Sequence, residues 1–242
     1  MNKKKRIRIA AIADIHIHEP LGGIYRKLFK KICEEADYLL ICGDLTQRGL
    51  EIEAKILVHE LTDCHIPVLT VLGNHDYEGG EVEEIKQVLR KNKMYVLEGE
   101  DPVIFGDIGF AGVKGFCGGF EDYMLTLWGE EMIKRFYYEG VNEAQKLETA
   151  LAKLQTKYKI VLLHYSPVKE TVVGESPEIF TYLGSSQLER PINNYQATMV
   201  FHGHAHGGKV LGKTSTGIPV YNVSHSLLEH LNPNHPYVLI EL

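Results

Sequence analysis

Residues 68–76 read Val-Leu-Thr-Val-Leu-Gly-Asn-His-Asp, an apolar run that stops at a glycine followed by three polar side chains. Aliphatic and β-branched residues in such a run predict a buried strand, and the glycine marks its end. Asn74, His75 and Asp76 therefore fall at a strand terminus, where open α/β sheets usually carry their sites. The segment predicts an α/β fold with a functional site at the edge of its sheet.

Four other segments end in the same way, with metal-binding types of side chain after a short apolar run. They are Ile7–Ala13 before Asp14 and His16, Tyr38–Cys42 before Asp44, Ile160–Leu163 before His164, and Met199–Phe201 before His204 and His206. Carboxylates, imidazoles and an amide oxygen without a thiolate suit Mn, Fe or Zn. Each residue alone has a simpler explanation, because a lone histidine usually packs in a core and a lone aspartate often caps a helix. The ordered set indicates a hydrolytic centre with two metal ions.

These segments read, in order, AIADIHIHE, ICGDLTQRG, VLGNHDYEG, VLLHYSP and FHGHAHGGK. They resemble the motifs of the calcineurin-like metallophosphoesterase superfamily, and more closely its bacterial phosphodiesterases and predicted phosphohydrolases. The resemblance spans Asp14 to His206. It implies a four-layer α-β-β-α sandwich of two mixed sheets, which we expect residues 1–242 to form as a single domain.

The resemblance also implies how two divalent metal ions would be held, with Asp44 shared between them. One ion would take Asp14, His16, Asp44 and His206, and the second would take Asp44, Asn74, His164 and His204. From the spacing we expect Asp14 and His16 to project to the same side of an extended strand end, as also His204 and His206. A water shared by the two ions loses its proton readily and becomes the nucleophile.

His75 directly follows a predicted ligand and is the candidate general acid, because imidazole titrates near neutral pH. The protein-phosphatase branch of the family has an aspartate that orients this histidine, and here Gln47 occupies that position. We expect Asp76 to orient His75 instead. Arg48 is a candidate for substrate binding through phosphate, with a surface salt bridge as the alternative.

The rest of the chain predicts a mixed α/β pattern. Helices are predicted at Ile24–Glu35, Leu50–Cys64 and Glu81–Arg90, followed by a hairpin of Val103–Phe105 and Gly109–Val113. A long helical stretch runs from about residue 122 to 158, with a possible break at Gly140, and short strands close the chain. Two irregular segments, 115–128 with several aromatic residues and 166–195, are the places where we expect specificity to lie.

Bulk properties limit the class of protein. The net charge of −6 disfavours a surface that broadly grips nucleic acid. No apolar run approaches the roughly 20 residues of a membrane helix, and the basic start at residues 3–8 leads into Asp14 too soon for a signal peptide. Four cysteines without a CxxC pair predict a reduced, cytoplasmic protein with buried thiols.

The sequence therefore predicts a metal-dependent phosphoesterase that hydrolyses phosphomono- or phosphodiester bonds of a small phosphorylated substrate. Two alternatives remain open. A DNA or RNA nuclease would use the same centre, and a non-catalytic interaction scaffold would be expected to have lost ligands or His75. The substrate, the native metals and the oligomeric state are left open by the sequence.

Overall fold

The computed structural model describes residues 6–19 and 23–242, and its eleven strands in this range form two mixed sheets. The strands are β1 (Arg8–Ile12), β2 (Tyr38–Cys42), β3 (Val68–Val71), β4 (Tyr95–Val96), β5 (Val103–Phe105), β6 (Ile108–Gly112), β7 (Tyr158–Leu162), β8 (Met199–His202), β9 (Leu211–Lys213), β10 (Pro219–Asn222) and β11 (Val238–Glu241). The first sheet has the order β11-β1-β2-β3-β4, and only β11 is antiparallel to its neighbour. The second has the order β5-β6-β7-β8-β10-β9, with both edge strands antiparallel.

Alternation along the buried strands separates two apolar faces of the first sheet. On β1, Ala10 and Ile12 face the helices, whereas Ile9 and Ala11 face the second sheet and pack near Phe110. Successive side chains of a strand point to opposite faces, so a strand buried on both sides reads as a continuous apolar run.

Seven helices of the described residues cover the outer faces of both sheets or close their ends. They are α1 (Arg26–Glu35), α2 (Glu51–Glu60), α3 (Val82–Lys91), α4 (Glu131–Ala152), α5 (Phe180–Leu183), α6 (Glu189–Asn194) and α7 (His225–Leu231). The first three pack on the first sheet, and α4 and α6 pack on the second. The predicted four-layer sandwich of two mixed sheets is confirmed.

The second half differs from the prediction in two places. The long helix begins only at Glu131, after a left-handed Gly129 (φ +80°) and an extended Glu130, and it continues through Gly140 without a break. Gly140 is buried, and the carbonyl of Cys117 lies 3.5 Å from where its Cβ would stand. The segment 166–195, predicted as irregular, contains α5, α6 and two short 3-10 turns.

The cysteine prediction is wrong for one pair and right for the other. Cys33 of α1 and Cys64 after α2 form a disulfide, with their Cα atoms 5.5 Å apart. The two residues are 31 positions apart in sequence, and their proximity depends on how α1 and α2 pack. Cys42 and Cys117 are free and buried.

The ends of the chain and its helices add two observations. Arg6 pairs with Glu241, and Arg8 lies 3.8 Å from Asp37, whereas Lys3, Lys4 and Lys5 of the basic start lie outside the described residues. Among the described helices, none combines the length and the apolar character that crossing a membrane requires.

Candidate metal centre

The predicted ligands of both sheets meet where the parallel strands end. The donor atoms form three overlapping groups, and within each group they lie within 4.8 Å of one another. His16 and Asp44 each belong to two groups. The groups are Asp14 with His16 and His206, His16 with Asp44 and His75, and Asp44 with His164 and His204. Asn74 joins the third, because its Oδ1 lies 2.9 Å from His164 Nε2.

The backbone that presents these ligands is bent rather than extended. Asp14, His16, Asp44 and His204 all have positive φ angles, between 45° and 70°. We expected the ligand pairs to project together from an extended strand end, and this is wrong. Strand β1 already ends at Ile12, and Asp14 and His16 lie in the bend after it. Left-handed backbone is uncommon outside glycine, and it clusters at functional sites. The tight bends aim side chains of neighbouring residues into one place.

Glycines precede several of these ligands because the space beside them is already filled. A Cβ at Gly73 would stand 2.1 Å from Asp44 Oδ1, and one at Gly203 would stand 2.7 Å from Asp14 Oδ2. Real Cβ atoms do not approach other atoms so closely, so only glycine lets these loops pass the carboxylates. The glycine of each motif is thus part of the packing of the centre.

Backbone carbonyls fix the ring orientation of three histidines. His164 Nδ1 lies 3.0 Å from the Cys42 carbonyl, His204 Nε2 lies 3.1 Å from the Tyr182 carbonyl, and His75 Nδ1 lies 2.9 Å from the Gln47 carbonyl. A carbonyl oxygen only accepts, so each of these ring nitrogens carries a proton and donates it. Second contacts of this kind orient metal-binding histidines in proteins.

The two carboxylates are buried and held from both sheets. Asp14 accepts hydrogen bonds from the backbone N–H of His204, at 3.0 and 3.1 Å, and Asp44 accepts one from the N–H of His75 at 2.9 Å. Burial raises the pKa of Asp44, but the charge and hydrogen bond of His164 outweigh burial and lower that pKa below its usual range. Burial lowers the pKa of His164, but Asp44 and Asp14 outweigh it and raise that pKa to about 9.

These contacts test whether the residues suit metal ions. With its Nδ1 proton donated to Cys42, His164 turns Nε2 toward Asn74 Oδ1 at 2.9 Å and Asp44 Oδ1 at 3.4 Å. Three electron-rich atoms face one another there and need a positive charge between them, either a proton or a metal ion. His16 Nδ1 is in addition buried without a hydrogen-bond partner among the described residues. The donor set fits divalent cations that accept oxygen and nitrogen ligands.

Asp76 does not orient His75, contrary to our expectation. It is fully buried and accepts hydrogen bonds from the N–H groups of Gly73, Leu45 and Thr46 and from the Thr46 hydroxyl. Through these hydrogen bonds, Asp76 joins the loop after β2 to the loop after β3. Burial and the charge of Asp44 raise its pKa to about 6. The carbonyl of Gln47 holds the His75 ring instead.

Two other expectations concern substrate contacts, at Arg48 and in the segment 166–195. Arg48 is exposed, and its side chain forms no ion pair within the part of the chain that the structure describes. In the segment 166–195, where we expected specificity, the Gly184 carbonyl accepts from the N–H of Gly119 and the N–H of Ser185 donates to the Ser166 carbonyl. Sequence reasoning missed the three carbonyls of Gln47, Cys42 and Tyr182, because main-chain atoms are the same in every residue and leave no signal.

Comparisons with known proteins give the family of this chain. The sequence profile of the calcineurin-like phosphoesterases matches residues 7–208. The chain belongs to the calcineurin-like phosphoesterase family. It is 25% identical over 244 residues to a probable cyclic nucleotide phosphodiesterase of Ruthia magnifica subsp. Calyptogena magnifica, and the match covers 90% of both proteins. This calcineurin-like chain is thus a metal-dependent hydrolase of phosphoric esters, as predicted.

Solved structures share the fold at low sequence identity. The phosphopantetheinyl hydrolase PptH of Mycobacterium tuberculosis superposes with a TM-score of 0.70 at 12% identity, over 97% of this chain and 96% of that one. The protein TT1561 of Thermus thermophilus gives a TM-score of 0.55 at 17% identity, over 92% and 91% of the two chains. At such identities the similarity concerns the architecture alone.

Proposed function

We propose that this calcineurin-like chain hydrolyses small phosphodiesters with a centre of two divalent metal ions. The observation that carries the proposal is the set of three overlapping donor groups, in which His16 and Asp44 each belong to two groups. A single ion would leave part of this array unused. Two ions with a shared carboxylate would engage every residue of these groups except His75, which is left for acid–base chemistry.

The proposed ligands divide between the two positions as the overlap suggests. Asp14, His16, Asp44 and His206 would hold one ion, and Asp44, Asn74, His164 and His204 the other. When bound, such ions lower the pKa of water and neutralise phosphate oxygens. Asp14 and Asp44 supply two negative charges and the other ligands none, so the loaded site keeps a positive charge that favours a phosphate ester.

His75 is proposed to donate the proton that the leaving oxygen needs. Its Nδ1 hydrogen is engaged by the Gln47 carbonyl, so Nε2 is the nitrogen free to act on substrate. The ring lies edge-on to His16 with centroids 4.7 Å apart, and the side chain is 28% exposed. It is therefore beside the proposed ligands and accessible to a bound ester, as a general acid must be.

Arg48 remains a proposed contact to substrate. It follows the Gln47 carbonyl that holds His75, and its exposed side chain has no carboxylate partner among the described residues. A guanidinium at this place can reach an outer phosphate oxygen and bind it through paired hydrogen bonds. The preference for a diester is supported by the relative from Ruthia magnifica, which is named as a cyclic nucleotide phosphodiesterase.

The test measures metal content and hydrolysis of bis-p-nitrophenyl phosphate in the presence of Mn²⁺. Asp44→Asn is expected to lose bound metal and nearly all activity, because the residue belongs to two donor groups. Asp107→Asn is the matched control, since Asp107 is exposed at the turn between β5 and β6 and should behave as wild type. Full activity in Asp44→Asn, or one metal ion per chain at saturation, would contradict the proposal.

A further inference from the structure

A cavity of about 360 Å³ lies in the segments 115–128 and 166–195, where sequence analysis expected specificity. Its wall is rich in aromatic rings and carries two polar side chains. It is lined by Phe120, Tyr123, Phe180, Pro177, Lys169 and Thr181, together with Gly119. The mechanism proposed above uses none of these residues.

The aromatic wall of the cavity belongs to an apolar cluster that extends to the loop carrying His204 and His206. Phe120 is buried in an apolar cluster with Ala205, the residue between those two histidines, and Phe180 packs against the same cluster. On the other side, Thr181 lines the cavity and the next residue, Tyr182, lends its carbonyl to His204 at 3.1 Å. The cavity wall is thus linked to the loop of the proposed ligands through this apolar cluster and through Tyr182.

The rim of the cavity exposes aromatic surface that folding does not require. Tyr123, which lines the cavity, is 80% exposed, and Tyr182, which follows the lining residue Thr181, is 60% exposed. Lys169 lies over the Tyr123 ring at 5.9 Å from its centroid and 3.4 Å from a Glu121 carboxylate oxygen. Flat faces with a few polar groups at the edge suit a planar ring with polar atoms, because rings stack and the polar groups satisfy the edge.

The main chain holds this wall in place. The N–H of Gly118 donates to the Thr181 carbonyl at 2.8 Å, and the N–H of Gly119 donates to that of Gly184 at 2.9 Å. Ser186 Oγ accepts from the N–H of Glu121 at 3.0 Å. The loop that bears Phe120 and Tyr123 is therefore fastened to the segment that bears Phe180. A preformed wall loses little entropy when a ligand stacks on it.

We propose that this cavity is the subsite for a flat aromatic group carried by the phosphate ester, such as a nucleobase. The inference rests on the proposed function, because the phosphate of the same ligand must reach the metal centre. An alkyl chain is the competing occupant, and it would have no use for Lys169 and Thr181 at the wall.

The test is calorimetric titration of the Mn²⁺-loaded protein with adenosine 5′-monophosphate and with ribose 5-phosphate, which differ only in the base. Wild type is expected to bind the nucleotide roughly tenfold more tightly, the usual contribution of one stacked base. Phenyl phosphate distinguishes a simple ring from a base, and octyl phosphate tests the alkyl alternative. Release of free phosphate is assayed after each titration, so that turnover is recognised.

Tyr123→Ala is expected to bring the ratio of the two dissociation constants close to one. The ring is exposed, so its removal should leave the fold intact, and Lys169→Met should weaken nucleotide binding more than phenyl phosphate binding. As a control, Tyr138→Ala removes an exposed tyrosine of α4, outside the cavity, and should retain the wild-type ratio. Equal affinity of wild type for nucleotide and ribose phosphate, or tightest binding of octyl phosphate, would overturn the inference. Failure of the proposed function would look different, since bis-p-nitrophenyl phosphate would then survive incubation with Mn²⁺ and wild type.

Discussion

His75 combines a fixed ring with a free nitrogen, and this makes its proposed role testable by one substitution. His75→Asn is expected to lower kcat on the order of 10²–10⁴-fold, because asparagine cannot transfer the proton. Metal content should remain at the wild-type value, because the full set of proposed ligands is left in place. The measurement is steady-state hydrolysis of bis-p-nitrophenyl phosphate beside elemental analysis of the same sample.

The control for this experiment is His230→Asn. His230 is exposed in the last turn of α7, so its loss should change neither quantity. Unchanged turnover in His75→Asn would remove His75 from the mechanism. Loss of metal together with activity would instead make His75 a ligand, as its place in the group with His16 and Asp44 allows.

His202 is a buried histidine whose titration should affect stability at acidic pH. Its Nε2 lies 2.8 Å from the Thr171 hydroxyl, and burial lowers its pKa to about 4. The unfolded chain takes up a proton near pH 6.5, whereas the folded protein resists it until about pH 4. The contribution of His202 to stability is therefore nearly complete above pH 6.5 and falls as the pH drops, by about 2 kcal/mol between pH 7.5 and 5.

We expect His202→Gln to show a flatter pH dependence, because glutamine does not titrate in this range. Urea unfolding at pH 7.5 and 5.0, with EDTA present for both proteins, gives the two free energies of unfolding. The loss on acidification should be about 2 kcal/mol smaller in the variant. Equal losses in the two proteins would show that His202 takes up its proton without unfolding.

Substitution by alanine should change the free energy of unfolding in opposite directions at two glycines, Gly73 and Gly140. Gly73→Ala at the end of β3 would place a methyl group 2.1 Å from Asp44 Oδ1, so we expect weaker metal binding and a loss of about 1–3 kcal/mol. Gly140→Ala lies inside α4, where the nearest atom would be 3.5 Å away. Helix propensity should then raise stability by about 0.5–1 kcal/mol. Urea unfolding of both variants checks the signs, and destabilisation by Gly140→Ala would contradict the account of α4.

The elements that the sequence predicts well are those whose evidence is local. The apolar runs before Asp14, Asp44 and Asn74 locate strand ends, because a strand buried on both faces needs such a run. Three features could not be predicted from the sequence, because they depend on tertiary contacts. The Cys33–Cys64 disulfide requires the packing of two helices, the carbonyl of Gln47 acts on His75 across a loop, and the left-handed bends arise from how the loops close.

The disulfide bears on the stability of the whole molecule while lying away from the candidate metal centre. It joins α1 to the end of the α2 segment and closes a loop over a sequence separation of 31. Cross-linking a loop of this length stabilises by about 3–4 kcal/mol through the unfolded state. Cys33→Ser is expected to lower the free energy of unfolding by about that amount and to leave kcat unchanged. Denatured, unreduced wild type should release two titratable thiols, and release of four would show that the pair is reduced.

Metal removal should act differently, because the proposed ligands come from both sheets. Asp14, Asp44 and Asn74 follow strands of the first sheet, whereas the ligand histidines other than His16 follow strands of the second. Ions held between them favour the folded state over the unfolded one by about 2.7 kcal/mol at a hundred times Kd. We expect EDTA to lower the unfolding temperature and added Mn²⁺ to restore it.

The same scan distinguishes this effect from other sources of stability. Asp44→Asn should lose most of the Mn²⁺-dependent shift, because it removes the carboxylate between the two proposed positions, whereas Asp107→Asn and Cys33→Ser should keep it. Without metal, Cys33→Ser should unfold at a lower temperature than Asp107→Asn, because only Cys33→Ser loses the disulfide. If neither EDTA nor Mn²⁺ changes the unfolding temperature, the donors from the two sheets do not share ions. The two sheets would then be joined by their apolar contacts alone.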